Sequence, residues 1–118
     1  MARILLADDD KGSLDLVRRA LELDGHAVAT ADDGSEALAL VKSSTFDLLV
    51  TDVQMPGLDG ISLAKEATAH HPAIRVVLMS AYADAFGGAE PLAARGARLV
   101  VKPFAIDKIR AEVRSALA

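Results

Sequence analysis

The chain has 118 residues, 52% hydrophobic and 25% charged, with a formal net charge of −4, three Phe, one Tyr, no Trp and no Cys. That length and balance specify one domain, residues 1–118, with an ordinary core. They exclude disulfides, thiolate metal sites and cysteine nucleophiles, and argue against base-stacking platforms and non-specific binding to nucleic acid or anionic membranes.

Met1-Ala2-Arg3 shows no secretory pattern, and no apolar run approaches the ~20 residues of a membrane span. A cytoplasmic protein is expected. Ile4-Leu5-Leu6-Ala7 is a continuous apolar run, as for a strand buried on both faces, and ends in Asp8-Asp9-Asp10. Ser13 to Asp24 reads as a helix with Leu14, Leu16, Val17, Ala20, Leu21 and Leu23 inward and Gly25 as its stop. His26 to Thr30 is a weaker strand, Asp32-Asp33-Gly34 a turn, and Ser35 to Ser43 a helix burying Ala37, Leu38, Leu40 and Val41. Phe46 to Val53 has strand character and runs into Gln54-Met55-Pro56-Gly57, which ends it. A helix from about Leu58 to His70 follows, closed by Pro72. Arg75 to Met79 is the fourth strand, ending at Ser80. The segment Asp84 to Arg95 contains Gly87, Gly88 and Pro91, which predict a short, broken or mobile helix. Arg98 to Val101 is the fifth strand, ending at Lys102-Pro103, and Ile106 to Leu117 is the last helix. Five strand–helix units predict an α/β fold: an open, doubly wound parallel sheet with helices on both faces.

In such sheets ligands gather beyond the carboxyl ends of the strands. Four strands deliver a polar residue there: Asp8 and Asp9, Asp52, Ser80, and Lys102. Two unit charges 4 Å apart repel by about 1 kcal/mol in water and about 4 kcal/mol at an effective dielectric near 20. A hard divalent cation relieves that repulsion, and Mg²⁺ is the usual one with few carboxylates and a phosphate oxygen. Asp52 is then the candidate nucleophile, since a carboxylate can attack phosphorus. Lys102 would set a compact positive charge against the phosphoryl group, and Ser80 a hydroxyl. The competing readings are a capping Asp52, a solvated acidic turn at Asp8–Asp10, a surface Lys102 and a turn serine at Ser80. No G-x-x-x-x-G-K-[ST] or G-x-G-x-x-G loop is present, which disfavours nucleotide triphosphatases and dinucleotide enzymes. His26, His70 and His71 lie at element ends away from this edge and read as surface residues.

Four stretches together resemble the receiver domain of two-component response regulators. They are Ile4-Leu5-Leu6-Ala7-Asp8-Asp9-Asp10, Asp47 through Gly60, Met79-Ser80-Ala81 and Val101-Lys102-Pro103-Phe104. The resemblance spans the chain and implies a flavodoxin-like sheet of order 2-1-3-4-5. It implies that Asp52 takes a phosphoryl group from a histidine kinase or histidine phosphotransfer protein. Asp8, Asp9, Asp52 and the backbone carbonyl of Gln54 would hold Mg²⁺, while Ser80 and Lys102 would contact the phosphoryl group. It also implies a cis Lys102-Pro103 bond, and a protein whose only catalysis is its own phosphorylation and dephosphorylation. Phosphorylation would shift the surface around the fourth and fifth units for partner binding. Leu99 stands where many receivers carry an aromatic switch ring, so it reads as a core residue, with Tyr82 or Phe86 taking part of that role. Length and spacing resemble the stand-alone, CpdR-like receivers, which implies the ClpXP proteolytic machinery as a downstream partner. A longer parent protein would instead add a DNA-binding or ATPase output domain. The alternative from another class is a small Mg²⁺-dependent aspartyl-phosphate phosphatase or phosphotransferase. Such enzymes usually carry a second acid two residues after the nucleophile, where Gln54 stands here. A flavin- or nucleotide-binding module on the same fold lacks its phosphate loops.

Overall fold

Five short apolar runs pair into one parallel sheet because their residues are apolar on both faces. The computed structural model describes residues 1–118. The elements are β1 (Arg3–Ala7), α1 (Lys11–Leu23), β2 (Ala27–Ala31), α2 (Gly34–Ser43), β3 (Leu48–Asp52) and α3 (Gly60–His70). They continue with β4 (Arg75–Ser80), a 3₁₀ turn (Ala83–Phe86), α4 (Glu90–Ala94), β5 (Arg98–Val101) and α5 (Ile106–Leu117). The strand order is β2-β1-β3-β4-β5, as the resemblance implies. β3 lies at the centre, and its Leu48, Leu49 and Val50 are fully buried.

Alternate strand residues feed two cores. Leu5, Leu49 and Leu78 pack with Ala37 and Val41 of α2 and Leu63 and Ala67 of α3. Ile4, Leu6, Val50 and Val77 pack with Val17 and Leu21 of α1 and Ile109 and Val113 of α5. The helices begin where an aspartate can cap them. Asp10 accepts from the amides of Gly12 and Ser13, Asp33 from Glu36, and Asp59 from Ser62. These caps place the starts of α1, α2 and α3 one or two residues from where apolar spacing sets them.

Two features of the packing differ from the sequence reading. Leu16 and Leu23 are 56% and 86% exposed rather than inward. The face of α1 that docks is set by Val17, Ala20 and Leu21, and at about 100° per residue Leu16 and Leu23 fall outside it. Leu99 is also 42% exposed and is not core. The segment before β5 is broken, as its glycines and proline predict, into a 3₁₀ turn and a five-residue α4. That short α4 leaves the outer face of the edge strand uncovered, so Val101 stands out as well.

Candidate functional site

The sheet register sets the site. Ala7 pairs with Thr51, Asp52 with Met79, and Ser80 with Val101. The residues that end these strands therefore emerge together at the carboxyl edge. Backbone bonds carry the ladder one step further. Asp8 N–H donates to the Ala31 carbonyl at 3.1 Å, Val53 N–H to Met79 at 2.8 Å, and Lys102 N–H to Ser80 at 2.7 Å.

Asp8, Asp9 and Asp52 each present a carboxylate oxygen within 4.8 Å of the others. Asp8 and Asp52 are buried, at 1% and 8% exposure, and Asp9 is open to solvent. Lys102 Nζ donates to Asp8 Oδ2 at 2.8 Å and stands 3.6 Å from Asp52 Oδ2. The second oxygen of Asp8 accepts the Asp10 amide at 3.0 Å. Asp10 itself turns away to cap α1, so the acidic triplet divides: two acids join the cluster and the third starts a helix. Ser80 is fully buried, and its Oγ accepts the Tyr82 amide at 3.0 Å. The Lys102-Pro103 peptide is cis.

The electrostatics are unbalanced. Burial pushes the Asp52 carboxyl above the ordinary carboxylate range; Lys102 opposes this, and the charges of Asp8 and Asp9 add to it. For Lys102 burial works against the ammonium, yet the hydrogen bond it donates to Asp8 and the charges of Asp8, Asp52 and Asp10 hold it above its usual value. Three carboxylates thus face one ammonium, all oxygen donors, two of them withdrawn from water. That donor set fits a hard divalent cation.

Gln54 lies in the exposed loop between β3 and α3. The loop is held by close backbone approaches that apolar spacing does not reveal. Gly34 N–H donates to the Pro56 carbonyl at 3.1 Å, and a Cβ at Gly34 would meet the Leu58 carbonyl oxygen at 1.8 Å. Gly60 N–H donates to the Val53 carbonyl at 2.7 Å, and a Cβ at Gly60 would meet the Asp52 carbonyl oxygen at 2.0 Å. Sequence reading takes Gly34 as a turn residue and Gly60 as part of the helix from Leu58; the contacts make both part of the site's frame.

The three histidines sit at the opposite end of the sheet, around a cavity of about 710 Å³ that also touches Asp47 and Ile74. Two are not simple surface residues. His26 Nδ1 accepts the Ala2 amide at 3.1 Å, and His71 Nε2 donates to the Val41 carbonyl at 2.9 Å; both are half-buried. Tyr82 is 60% exposed and Phe86 half-buried against the α2–α3 core.

A parallel 2-1-3-4-5 sheet wrapped by helices on both faces defines a CheY-like α/β protein. Residues 4–114 match the family model for the response regulator receiver domain, and the chain belongs to that family. It is 36% identical over 115 residues to the transcriptional regulatory protein ZraR of Escherichia coli strain K12, covering 98% of this chain and 26% of that protein. It is 34% identical over 117 residues to the response regulator receiver protein CpdR of Brucella abortus, covering 99% of this chain and 98% of that protein. The chain therefore spans about a quarter of the length of its transcriptional-regulator relatives and nearly all of CpdR. Among solved structures, response regulator TrrA of Thermotoga maritima, in complex with Mg²⁺-BeF, has a TM-score of 0.86 at 31% identity, covering 99% of this chain and 100% of that one. The receiver domain of the hybrid histidine kinase CckA has a TM-score of 0.83 at 31% identity, covering 98% and 99%. Receiver domains are phosphorylated by histidine kinases and pass the signal to downstream partners. The phosphatase alternative is not favoured by this membership. No helix is long and apolar enough to cross a membrane.

Proposed function

We propose that residues 1–118 act as one phosphoacceptor domain whose acceptor is Asp52. The observation that carries this reading is a buried carboxylate at the sheet edge, flanked within 4.8 Å by two more acids and 3.6 Å from a lysine ammonium. A carboxylate oxygen of Asp52 attacks the phosphorus of a partner's phosphohistidine. The O–P bond forms as the P–N bond breaks, and the imidazole nitrogen leaves with the bonding pair. Lys102 offsets the charge that arrives, and Ser80 offers a hydroxyl to a phosphate oxygen once it releases Tyr82 N–H. Asp8, Asp9, Asp52 and the Gln54 carbonyl are the residues that would hold Mg²⁺, which supplies screening of the incoming phosphate charge. Water later cleaves the acyl phosphate and returns the Asp52 carboxylate. Self-phosphorylation and self-dephosphorylation are the only chemistry assigned to the chain.

The downstream partner assigned is the ClpXP proteolytic machinery in the cytoplasm, a reading supported by end-to-end similarity to CpdR. Incubation with acetyl phosphate and Mg²⁺ tests the reading. One labile phosphoryl group per chain is expected, absent in Asp52→Asn. Sustained turnover of small phosphate esters, or labelling that survives Asp52→Asn, refutes it. Capture of ClpX by the beryllofluoride-treated or the untreated form, but not both, tests the partner.

A further inference from the structure

β3 carries one hydroxyl in an otherwise apolar run, and the chemistry above does not use it. Thr51 is fully buried between Val50 and Asp52. A hydroxyl in that setting costs free energy unless it is bonded. Its Oγ1 donates to the carbonyl oxygen of Asp52 at 2.9 Å, and its other polar neighbour is Met55 Sδ at 3.9 Å. The peptide that joins Asp52 to Val53 is thereby held on every side. Its N–H donates to the Met79 carbonyl at 2.8 Å. Gly60 closes on its carbonyl oxygen, leaving no room for a Cβ. The next carbonyl, of Val53, accepts Gly60 N–H at 2.7 Å. The Thr51 hydroxyl is the one side-chain bond in this set, and it acts on an oxygen two bonds from the Cα that carries the acceptor carboxylate.

We infer that Thr51 is a positioning residue for phosphoryl transfer: its hydroxyl fixes the Asp52–Val53 peptide and so aims the Asp52 carboxylate at the incoming phosphorus. This rests on the reading of Asp52 as the phosphoacceptor. Removing the hydroxyl with little change in shape, as in Thr51→Val, frees the carbonyl and loosens that aim. Thr51→Ser keeps the donor and loses only a methyl group.

The test follows the rate of phosphorylation against acetyl phosphate concentration at saturating Mg²⁺, with Tm measured for each protein. Ile109→Val, a trimmed core residue on the opposite face of the sheet, controls for lost stability. Thr51→Val is expected to lower the maximal rate about tenfold, the factor carried by one hydrogen bond of ordinary strength, with half-saturation little changed. Thr51→Ser is expected to return most of that rate, and Ile109→Val to keep it. Thr51→Ala carries the same expectation as Thr51→Val and replaces it if the valine variant does not fold. The inference is overturned by a wild-type rate in the hydroxyl-free variants, by Thr51→Ser as slow as Thr51→Val, or by an equal loss in Ile109→Val. A wild-type protein that takes no phosphoryl group overturns the acceptor reading itself, a result distinct from these.

Discussion

Replacing Gly60 with alanine sets two physical effects against each other. At the first residue of a helix, alanine is favoured over glycine by up to about 1 kcal/mol on backbone entropy. Here a Cβ would lie 2.0 Å from the Asp52 carbonyl oxygen, 2.8 Å from its carbon and 2.9 Å from Val53 Cα. Reaching an ordinary 3.4 Å contact requires the start of α3, or the Asp52–Val53 peptide, to move by about 1.4 Å. That motion breaks the bond from Gly60 N–H to the Val53 carbonyl at 2.7 Å. Overpacking costs about 1–3 kcal/mol and the lost bond about 1 kcal/mol, so packing outweighs propensity by about 2 kcal/mol. Gly60→Ala should therefore fall in Tm by roughly 10 °C. It should also lose at least tenfold in phosphorylation rate, since displacement of about 1 Å at a reacting group carries penalties of that order. Thermal unfolding by circular dichroism and labelling with acetyl phosphate read the two effects. An alanine variant as stable as the wild type, labelled at the same rate, would refute the argument that backbone closeness frames the acceptor.

Three further outcomes follow from the ion pairs and cores. Lys102→Ala removes the one ammonium from three carboxylates and should tighten Mg²⁺ binding several-fold by calorimetry while slowing phosphorylation; weaker Mg²⁺ binding would contradict it. Glu112 bonds Arg98 of β5 and Lys108 of α5, and the Arg98 bond holds its carboxyl below the usual range against the opposing effect of burial. A lowered acid stabilises the fold above its unfolded-state pKa and loses that contribution as pH falls. Glu112→Gln should thus cost about 1 kcal/mol at pH 7, the exposure of Arg98 keeping it small, with the gap closing below about pH 4 in urea titrations. Leu21→Ala should cost about 2–5 kcal/mol, whereas Leu23→Ala should stay within about 0.5 kcal/mol, despite apolar spacing setting both on the inward side of the same helix.

The sheet was legible because its signal is contiguous. Four-residue apolar runs between breakers read as buried strands, and the polar residue ending each run marks the edge that faces ligands. Asp8, Asp9, Asp52, Ser80 and Lys102 could be gathered by that logic, and the register brings their strand ends level. What escaped depends on distances between segments. Leu16 and Leu23 look inward until α1 docks, because apolar spacing alone does not say which part of a wide stripe meets the sheet. Leu99 looks like core until the brevity of α4 uncovers β5. Gly34, Gly60 and Thr51 matter through backbone oxygens of other residues, a relation that carries no mark in composition or periodicity. The half-buried state of His26 and His71 likewise comes from carbonyl and amide partners far along the chain.

The placement of those histidines has its own meaning. They crowd the end of the sheet where β3 begins, while Asp52 closes the other end, the length of a five-residue strand away, about 16 Å. A phosphoryl group leaps only between atoms in near contact, so no imidazole among these residues can serve as donor to the acid of its own molecule. With Asp52 read as the acceptor, its phosphoryl group has to come from outside residues 1–118, and the histidine end of the sheet takes no direct part in the transfer.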